Sequence, residues 1–255
     1  RDIWRPGGAG SSPPRLSWRA ATTGRAGLMG ERSIAINCGY AMHEHVFDRA
    51  DMVRVLDGLA VAQVEQTKAG ARHVLSLPVV RTLSADPRLM TIASRFVGPT
   101  AVAFRATLFD KSPEANWLVV WHQDTALPLC QRVESAEWGP WSTKSGVLYA
   151  HAPAWALERV VALRVSLDDS THTNGPLRVL PDTHRSGVLT DAEISQRAQA
   201  TPHVDCVVAA GGVVVMRPLT VHASSKSVDE RPRRVLHIEY ATRAELRAGI
   251  TLAVG

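Results

Sequence analysis

The sequence changes character at Pro99, and this change does most to limit the folds open to the chain. Before it, apolar residues recur at three-to-four spacing, whereas after it short segments rich in Val, Leu, Phe and Thr alternate with turn residues. The first pattern is typical of amphipathic helices and the second of antiparallel strands. Because no regular βαβ alternation follows, we predict a mainly β fold, a double-stranded β-helix (cupin-like jelly roll) with flanking α-helices.

The same patterns place the individual elements. Helices are predicted at residues 45–68, at residues 87–97 behind an N-cap at Asp86, and at residues 191–199. Strands are predicted at residues 101–109, 117–123, 146–151, 159–167, 177–180, 205–208, 213–217, 220–225 and 233–241. Residues 1–35, rich in Gly, Pro, Ser and Arg, predict a disordered leader, with an organelle transit segment as the open alternative. Residues 36–255 are then one domain.

The charge distribution argues against nucleic acid as a partner. The formal net charge is +5, but residues 1–32 hold six arginines against two acidic residues, which accounts for +4 of it. The remainder has no basic face with interleaved aromatic residues, and no apolar run approaches the roughly 18–20 residues that cross a bilayer. Three scattered cysteines do not indicate a disulfide framework. We expect a cytoplasmic monomer or weak homo-oligomer that binds a small-molecule substrate and neither membrane nor nucleic acid.

A candidate metal site begins at His122 and Asp124. If both lie on one strand, the alternation of side chains puts the imidazole and the carboxylate on the same face, where they can hold one ion. His222, from another strand, would add a second imidazole. Two histidines and one carboxylate on one side of an ion are the arrangement of non-haem Fe(II) oxygenases. The same alternation turns Gln123 away from the ligands.

Four stretches together resemble the phytanoyl-CoA dioxygenase family: residues 121–124 (WHQD), 167–184 (LDDSTHTNGPLRVLPDTH), 222–224 (HAS) and 233–240 (RRVLHIEY). The resemblance covers the chain from about residue 101 to 240. It implies that His122, Asp124 and His222 bind Fe(II), with 2-oxoglutarate as cosubstrate and O2 as oxidant. Halogenating relatives carry a small residue in place of the carboxylate, so Asp124 favours hydroxylation of an aliphatic carbon, with succinate and CO2 as co-products.

Arg233 is the predicted anchor for the far carboxylate of the cosubstrate. A guanidinium stays charged and offers a planar fork that a carboxylate accepts in two parallel hydrogen bonds. Residues 228–232 are predicted to turn the chain, so Arg233 lies a few strand positions from the metal, and Ser224, facing the same way as His222, could donate to the same carboxylate. The resemblance adds three further cosubstrate positions: Arg164 and Thr107, whose faces could instead be solvent, and Gln123, against which the alternation argues.

Two questions stay open at the level of sequence. Residues 125–158 are predicted to form a long connection whose Trp138, Trp141 and Trp155 either close over the substrate as a lid or pack as core. The alternative functions are a non-catalytic cupin-like protein that holds a metal and a ligand, and a metal-dependent isomerase or hydrolase. Arg233 argues against the last, because such enzymes need no anchor for a diacid.

Overall fold

The structure, a computed structural model, describes residues 38–62, 70–113 and 115–255. The predicted leader and the end of the first predicted helix lie outside these residues. The described strands are β1 (Tyr40–His43), β2 (Ala71–Arg72), β3 (Val102–Lys111), β4 (Val119–His122), β5 (Ala126–Leu129), β6 (Trp141–Lys144), β7 (Val147–His151), β8 (Val160–Ser166), β9 (Leu177–Val179), β10 (Val204–Cys206), β11 (Val213–Met216), β12 (His222–Ser224), β13 (Arg233–Ala241), β14 (Glu245–Arg247) and β15 (Ile250–Thr251).

The helices begin at the capping signals that the sequence carries. They are α1 (Arg49–Val61), α2 (Pro78–Ser84), α3 (Pro87–Val97), α4 (Ala154–Leu157) and α5 (Asp191–Ala200), with short 3-10 turns at Val74–Ser76 and Thr183–Ser186. Asp48 caps α1 in a capping box with Asp51, and Thr190 does the same for α5 with Glu193. Asp86 caps α3, whose first residue is Pro87. Among the described residues, no helix is long and apolar enough to cross a membrane.

A six-stranded antiparallel sheet, the major sheet, dominates the fold in the order β1-β11-β8-β13-β3-β2. One face carries the alternate apolar residues of its strands, such as Val161, Leu163 and Val165 of β8 and Leu236 and Ile238 of β13. These pack against the buried stripes of α1, α2 and α3, which form the main hydrophobic core. The opposite face of the central strands is largely polar, and it borders a cavity.

A four-stranded sheet, the minor sheet, has the order β10-β9-β12-β4 and lies across this cavity. The described residues thus form two facing antiparallel sheets covered by helices, which confirms the mainly β, jelly-roll prediction. The strand predicted at residues 146–151 is present as β7, but the prediction of a long connection over residues 125–158 was wrong, because β5 and β6 pair with β7 in a third, three-stranded sheet. β6 and β7 form a hairpin, and β5 pairs with the other edge of β7.

Candidate functional site

His122, Asp124 and His222 meet at the edge of the minor sheet. β4 and β12 are antiparallel neighbours with His122 directly opposite His222, and the two ring centroids lie 4.2 Å apart. His122 Nε2 lies 3.7 Å from Asp124 Oδ1, and His222 Nε2 lies 3.5 Å from Asp124 Oδ2. One ligand atom from each residue falls within 4.8 Å of the others, so a single ion can bind all three.

Asp124 reaches this cluster by a route that strand alternation did not predict. β4 ends at His122, and Asp124 lies in the following turn, where its backbone N–H donates to the Pro218 carbonyl at 3.0 Å. Gln123, between the ligands, faces away from the cavity. Its amide nitrogen donates to the carbonyls of Gly187 and Leu219, and its oxygen accepts from the Leu189 N–H. The side chain therefore anchors the end of β4 and does not line the cavity.

Backbone carbonyls set the tautomers of both histidines of the cluster. Nδ1 of His122 lies 2.8 Å from the Val120 carbonyl, and Nδ1 of His222 lies 2.9 Å from the Thr220 carbonyl. Because a carbonyl only accepts, each Nδ1 carries the proton and each Nε2 presents its lone pair to the cluster. Burial, opposed by the charge of Asp124, lowers the pKa of His222 to about 4, so the ring is neutral at pH 7.

The carboxylate of Asp124 stays ionised in this half-buried position. Burial alone would raise its pKa, but the neighbouring rings of His222, His237 and His122 and the Arg105 guanidinium outweigh burial and lower the pKa below its ordinary value. The Nε2 atoms of two imidazoles and one carboxylate therefore face a common point. This donor set fits Fe(II), with the remaining coordination positions left for other ligands.

The cavity beside the cluster has a volume of about 220 Å³, and both sheets line it. Its wall on the major sheet is built from rows of directly opposed residues on β8, β13 and β3. One row contains Arg164, His237 and Thr107, the next contains Ala162, Glu239 and Arg105, and Arg233 faces Lys111 at the far end. Residues directly opposite in a sheet point to the same face, so this register collects the polar side chains on the cavity side.

The end of the cavity around Arg233 is strongly cationic. Arg233 is 3% exposed and Lys111 is 1% exposed, and among the described residues neither forms an ion pair with a carboxylate. Burial and the charge of Arg164 lower the pKa of Arg233 to about 10, so the guanidinium remains charged at neutral pH. Burial, with the charges of Arg233, Arg164 and Arg178, lowers the pKa of Lys111 to about 7. A dianion would relieve this repulsion.

A turn at Asn174 and Gly175 holds the cationic end in place. The Asn174 carbonyl accepts from Arg233 Nε at 3.1 Å, and the Gly175 carbonyl accepts from the Ser224 hydroxyl at 2.8 Å. Ser224 Oγ in turn accepts from Lys111 Nζ at 2.9 Å. Gly175 has φ +68°, and a Cβ there would lie 2.3 Å from the Ser225 carbonyl oxygen, so only glycine fits. Ser224 thus lines the cavity, with its hydroxyl proton directed to Gly175.

Arg164 and His237 form a buried pair in the same cavity as the cluster of His122, Asp124 and His222. Arg164 Nη1 donates to His237 Nδ1 at 3.0 Å, and because a guanidinium cannot accept, His237 carries its proton on Nε2. Burial, reinforced by the charge of Arg164, lowers the pKa of His237 well below its ordinary value. His237 therefore lines the cavity as a neutral N–H donor. The Nε2–H group can donate to an anionic ligand, but it has no free lone pair with which to bind a metal.

Arg105 and Glu239 form a second buried pair on the same wall. Arg105 Nη2 donates to Glu239 Oε1 at 2.6 Å, and Arg105 Nε donates to the other carboxylate oxygen. Burial disfavours the charge on Arg105, but Glu239 outweighs burial and raises the pKa of the guanidinium. This pair neutralises itself, in contrast to Arg233, Lys111 and Arg164.

The structure brings together most of the residues that the sequence singled out. The three metal-ligand candidates cluster, and Arg233, Ser224, Arg164 and Thr107 line the cavity, whereas Gln123 does not. Sequence reasoning missed Lys111, His237 and the Arg105–Glu239 pair. The sequence did contain a signal for His237 and Glu239. In the predicted strand 233–241, the polar residues Arg233, His237 and Glu239 share one face, whereas Leu236, Ile238 and Tyr240 share the other.

The tryptophans predicted as a lid or as core pack as core. Trp138 is buried, its ring lies 6.0 Å from that of Trp155, and both join Trp141 in the cluster around β5, β7 and α4. None of the three lines the cavity, which contains Trp117 instead. The ring of Trp117 lies 5.3 Å from Lys111 Nζ.

Three comparisons place this geometry among known proteins. The profile of the family described as "Phytanoyl-CoA dioxygenase (PhyH)" matches residues 53–235. No curated protein sequence gives a significant match. Among solved structures, the chain is similar to AviO1 from Streptomyces viridochromogenes Tue57, with 23% identity, 87% of this chain and 96% of that chain covered, and a TM-score of 0.63.

Two further solved structures contain bound ligands. The epimerase SnoN in complex with Fe3+, alpha ketoglutarate and nogalamycin RO is 17% identical, covering 86% of this chain and 84% of that chain with a TM-score of 0.64. HygX from Streptomyces hygroscopicus, with nickel and 2-oxoglutarate bound, is 14% identical, covering 86% and 87% with a TM-score of 0.61. At these identities the likeness establishes a shared fold.

Proposed function

This chain belongs to the phytanoyl-CoA dioxygenase family of Fe(II)- and 2-oxoglutarate-dependent oxygenases, and from that premise we propose that it hydroxylates an aliphatic carbon of a small organic substrate. In that reaction one atom of O2 enters the new C–OH group and the other enters succinate, while the 1-carboxylate of 2-oxoglutarate leaves as CO2. The observation that supports the proposal most is the joint presence of the His122, Asp124 and His222 cluster and an unneutralised cationic pocket beside it.

The three residues of the cluster would hold the metal. Fe(II), when bound, supplies the oxidising chemistry, and the chain supplies two neutral Nε2 atoms and one carboxylate oxygen to hold it. The Val120 and Thr220 carbonyls would keep both rings in the binding tautomer. Asp124 occupies the position at which a halide would otherwise bind, which supports hydroxylation over halogenation.

Arg233 and Lys111 would bind the far carboxylate of 2-oxoglutarate at the closed end of the cavity. Both are almost completely buried cations without a carboxylate partner among the described residues, and a five-carbon diacid supplies the missing charge. Ser224 would hold Lys111 in position, and Arg164 and Thr107 would line the side of the cosubstrate. His237 Nε2–H would donate to an oxygen of the bound cosubstrate.

The wider predictions stay part of this proposal. We propose a single catalytic domain over residues 36–255 that works in the cytoplasm as a monomer or weak homo-oligomer on a small molecule. The described cysteines Cys38, Cys130 and Cys206 are all free, which is consistent with a reducing compartment. Size-exclusion chromatography with light scattering tests the oligomeric state directly.

Succinate formation tests the proposed function. Purified protein supplied with Fe(II), ascorbate and 2-oxoglutarate should form succinate and take up O2 slowly without substrate, and faster with a substrate from a panel of aliphatic acids, acyl thioesters and amino acids. His122→Ala should abolish both, and His172→Ala, at an exposed histidine outside the cavity, should change neither. Tight binding of 2-oxoglutarate without any O2 uptake would instead indicate a non-catalytic binding protein.

A further inference from the structure

Two more cations stand at the open end of the cavity, opposite the Arg233 end. Arg72 lies on the edge strand β2 and Lys144 ends β6, and both line the cavity and are exposed. Neither has an ion-pair partner in the part of the chain that the structure describes. The proposed reaction uses neither residue.

The sheet register places Arg72 on the cavity wall, in line with Arg164, His237 and Thr107. Arg164, His237, Thr107 and Arg72 are directly opposite one another on β8, β13, β3 and β2, so all four point to the cavity face. At a spacing of about 4.8 Å between strands, the Cα of Arg72 lies roughly 10 Å from that of His237. His237 and the cluster residues His122, Asp124 and His222 line the same cavity from facing sheets. Arg72 therefore lies on the cavity wall two strands away from His237.

Lys144 is held beside Arg72 by contacts between β2 and the β6–β7 hairpin. The His73 ring, next to Arg72, hydrogen bonds to the backbone of Lys144 and lies 6.1 Å from the Tyr149 ring. Lys144 Nζ lies 5.2 Å from the centre of the Tyr149 ring, and the guanidinium carbon of Arg105 lies 5.5 Å from the same ring centre. Tyr149 is buried and lines the cavity, where its ring supplies apolar surface next to Lys144.

The charge balance of the cavity leaves these cations without a counterion. The lining contains five cationic side chains, Arg72, Arg105, Lys144, Arg164 and Arg233, and two carboxylates, Asp124 and Glu239. A bound divalent metal and a bound dianionic cosubstrate cancel each other, so the lining keeps an excess of three positive charges, and Lys111 behind Ser224 adds a fourth when it is protonated. Clefts with one sign of charge concentrate ligands of the opposite sign.

We propose that the substrate carries a carboxylate or phosphate group that binds between Arg72 and Lys144, with its reacting aliphatic carbon further inside the same cavity at the metal. This inference rests on the proposed function only in one respect, namely that the reaction takes place at a metal held by His122, Asp124 and His222. The anionic group fixes the register of the substrate along the cavity, and Tyr149 contacts the apolar part between the two ends.

Binding of simple probes to an inert form of the enzyme tests the anion site apart from turnover. The protein is loaded with Mn(II) and saturating 2-oxoglutarate without O2, and octanoate, octyl phosphate, octanamide and octylamine are titrated by calorimetry. We expect at least one of the two anions to bind about tenfold or more tightly than octanamide, and octylamine to bind weakest, as a charge-assisted contact implies. The tighter of the two anions identifies the group.

The doubly substituted variant Arg72→Gln/Lys144→Gln should lose this preference, whereas Arg243→Gln, at an exposed arginine outside the cavity, should keep it. Equal binding of the anions and octanamide, no binding of either anion, or a preference that survives the double substitution would each overturn the proposal. If the preference is present and succinate never forms, the proposed function fails and the anion site stands. If succinate forms but the preference for anions is absent, the anion site fails and the proposed function stands.

Discussion

The two sheets that face the cavity contribute in different ways. The minor sheet delivers the metal-ligand candidates from β4, β12 and the turn that follows β4, and the strands have four and three residues with ends fixed by backbone hydrogen bonds. The major sheet delivers its cations from alternate positions on β8, β13 and β3, strands of seven, nine and ten residues. One site depends on local geometry at strand ends, and the other depends on register across neighbouring strands.

Because of this difference, metal binding and cosubstrate binding can be measured separately, whereas a single measurement of activity would combine them. Changes on the minor sheet should act on metal binding, and changes on the major sheet should act on cosubstrate binding. Two buried histidines face the same cavity, one from each sheet, and they provide the largest contrast.

His222→Ala should abolish Fe(II) binding at micromolar metal, because it removes a direct ligand. His237→Ala should keep Fe(II) affinity within about tenfold, since its Nδ1 is taken by Arg164 and its Nε2 carries a proton. Calorimetric titration with Fe(II) or Mn(II) under anaerobic conditions measures both, with circular dichroism to verify folding. Loss of metal from His237→Ala to the same degree would break the division between the sheets.

Arg233→Gln should weaken binding of 2-oxoglutarate by about 100-fold, because it removes a bidentate charged contact of roughly 3 kcal/mol, while metal affinity stays unchanged. The matched control lies one position along the strand. Arg234 faces the other way and is neutralised by Asp168 through hydrogen bonds of 2.8 Å, so Arg234→Gln should change the Kd of 2-oxoglutarate less than twofold. Equal effects of the two substitutions would refute Arg233 as the anchor.

Lys111 should give 2-oxoglutarate binding a pH dependence. Its pKa of about 7 in the free protein means that the ammonium is present below pH 7 and lost above it, and a bound dianion raises that pKa. The apparent Kd should therefore rise above pH 7, by up to about tenfold per pH unit, until the pKa of the bound state is reached.

Lys111→Met should bind 2-oxoglutarate about tenfold more weakly at pH 6.5 and should lose the rise above pH 7. Lys226→Met, at an exposed lysine in the loop after β12, should retain the wild-type dependence of Kd on pH. Titrations at half-unit steps from pH 6 to 8.5 measure the effect. A rise in Kd that persists in Lys111→Met would assign the proton to another group.

The same contrast explains what the sequence could predict. Most strands of the two facing sheets, the His122, Asp124 and His222 cluster and Arg233 could be predicted, because short motifs and side-chain alternation encode them. The strands β1, β2, β5, β6, β14 and β15 were not predicted. Lys111 and His237 were not, because each acquires its role from a partner on another strand, and the pairing of Lys111 with Arg233 and of His237 with Arg164 is a matter of register. Alternation also predicted Asp124 on β4, although a turn held by Pro218 positions it.

Gln123 gives the smallest predicted effect and separates structural support from cosubstrate contact. Its side chain makes three hydrogen bonds to the backbone at Gly187, Leu189 and Leu219. Gln123→Leu leaves those buried groups unpaired, which should cost about 1–3 kcal/mol and lower the Tm by about 2–4 °C per kcal/mol.

Differential scanning calorimetry measures this loss, and the Kd of 2-oxoglutarate on the folded variant should stay within about twofold of wild type. The exposed Gln131→Leu, outside the cavity, should change neither quantity. An unchanged Tm with a tenfold weaker Kd would move Gln123 into the cosubstrate site, and the minor sheet would then supply more than metal ligands. A lower Tm with an unchanged Kd would keep the two sheets distinct even at the residue that lies between two ligands.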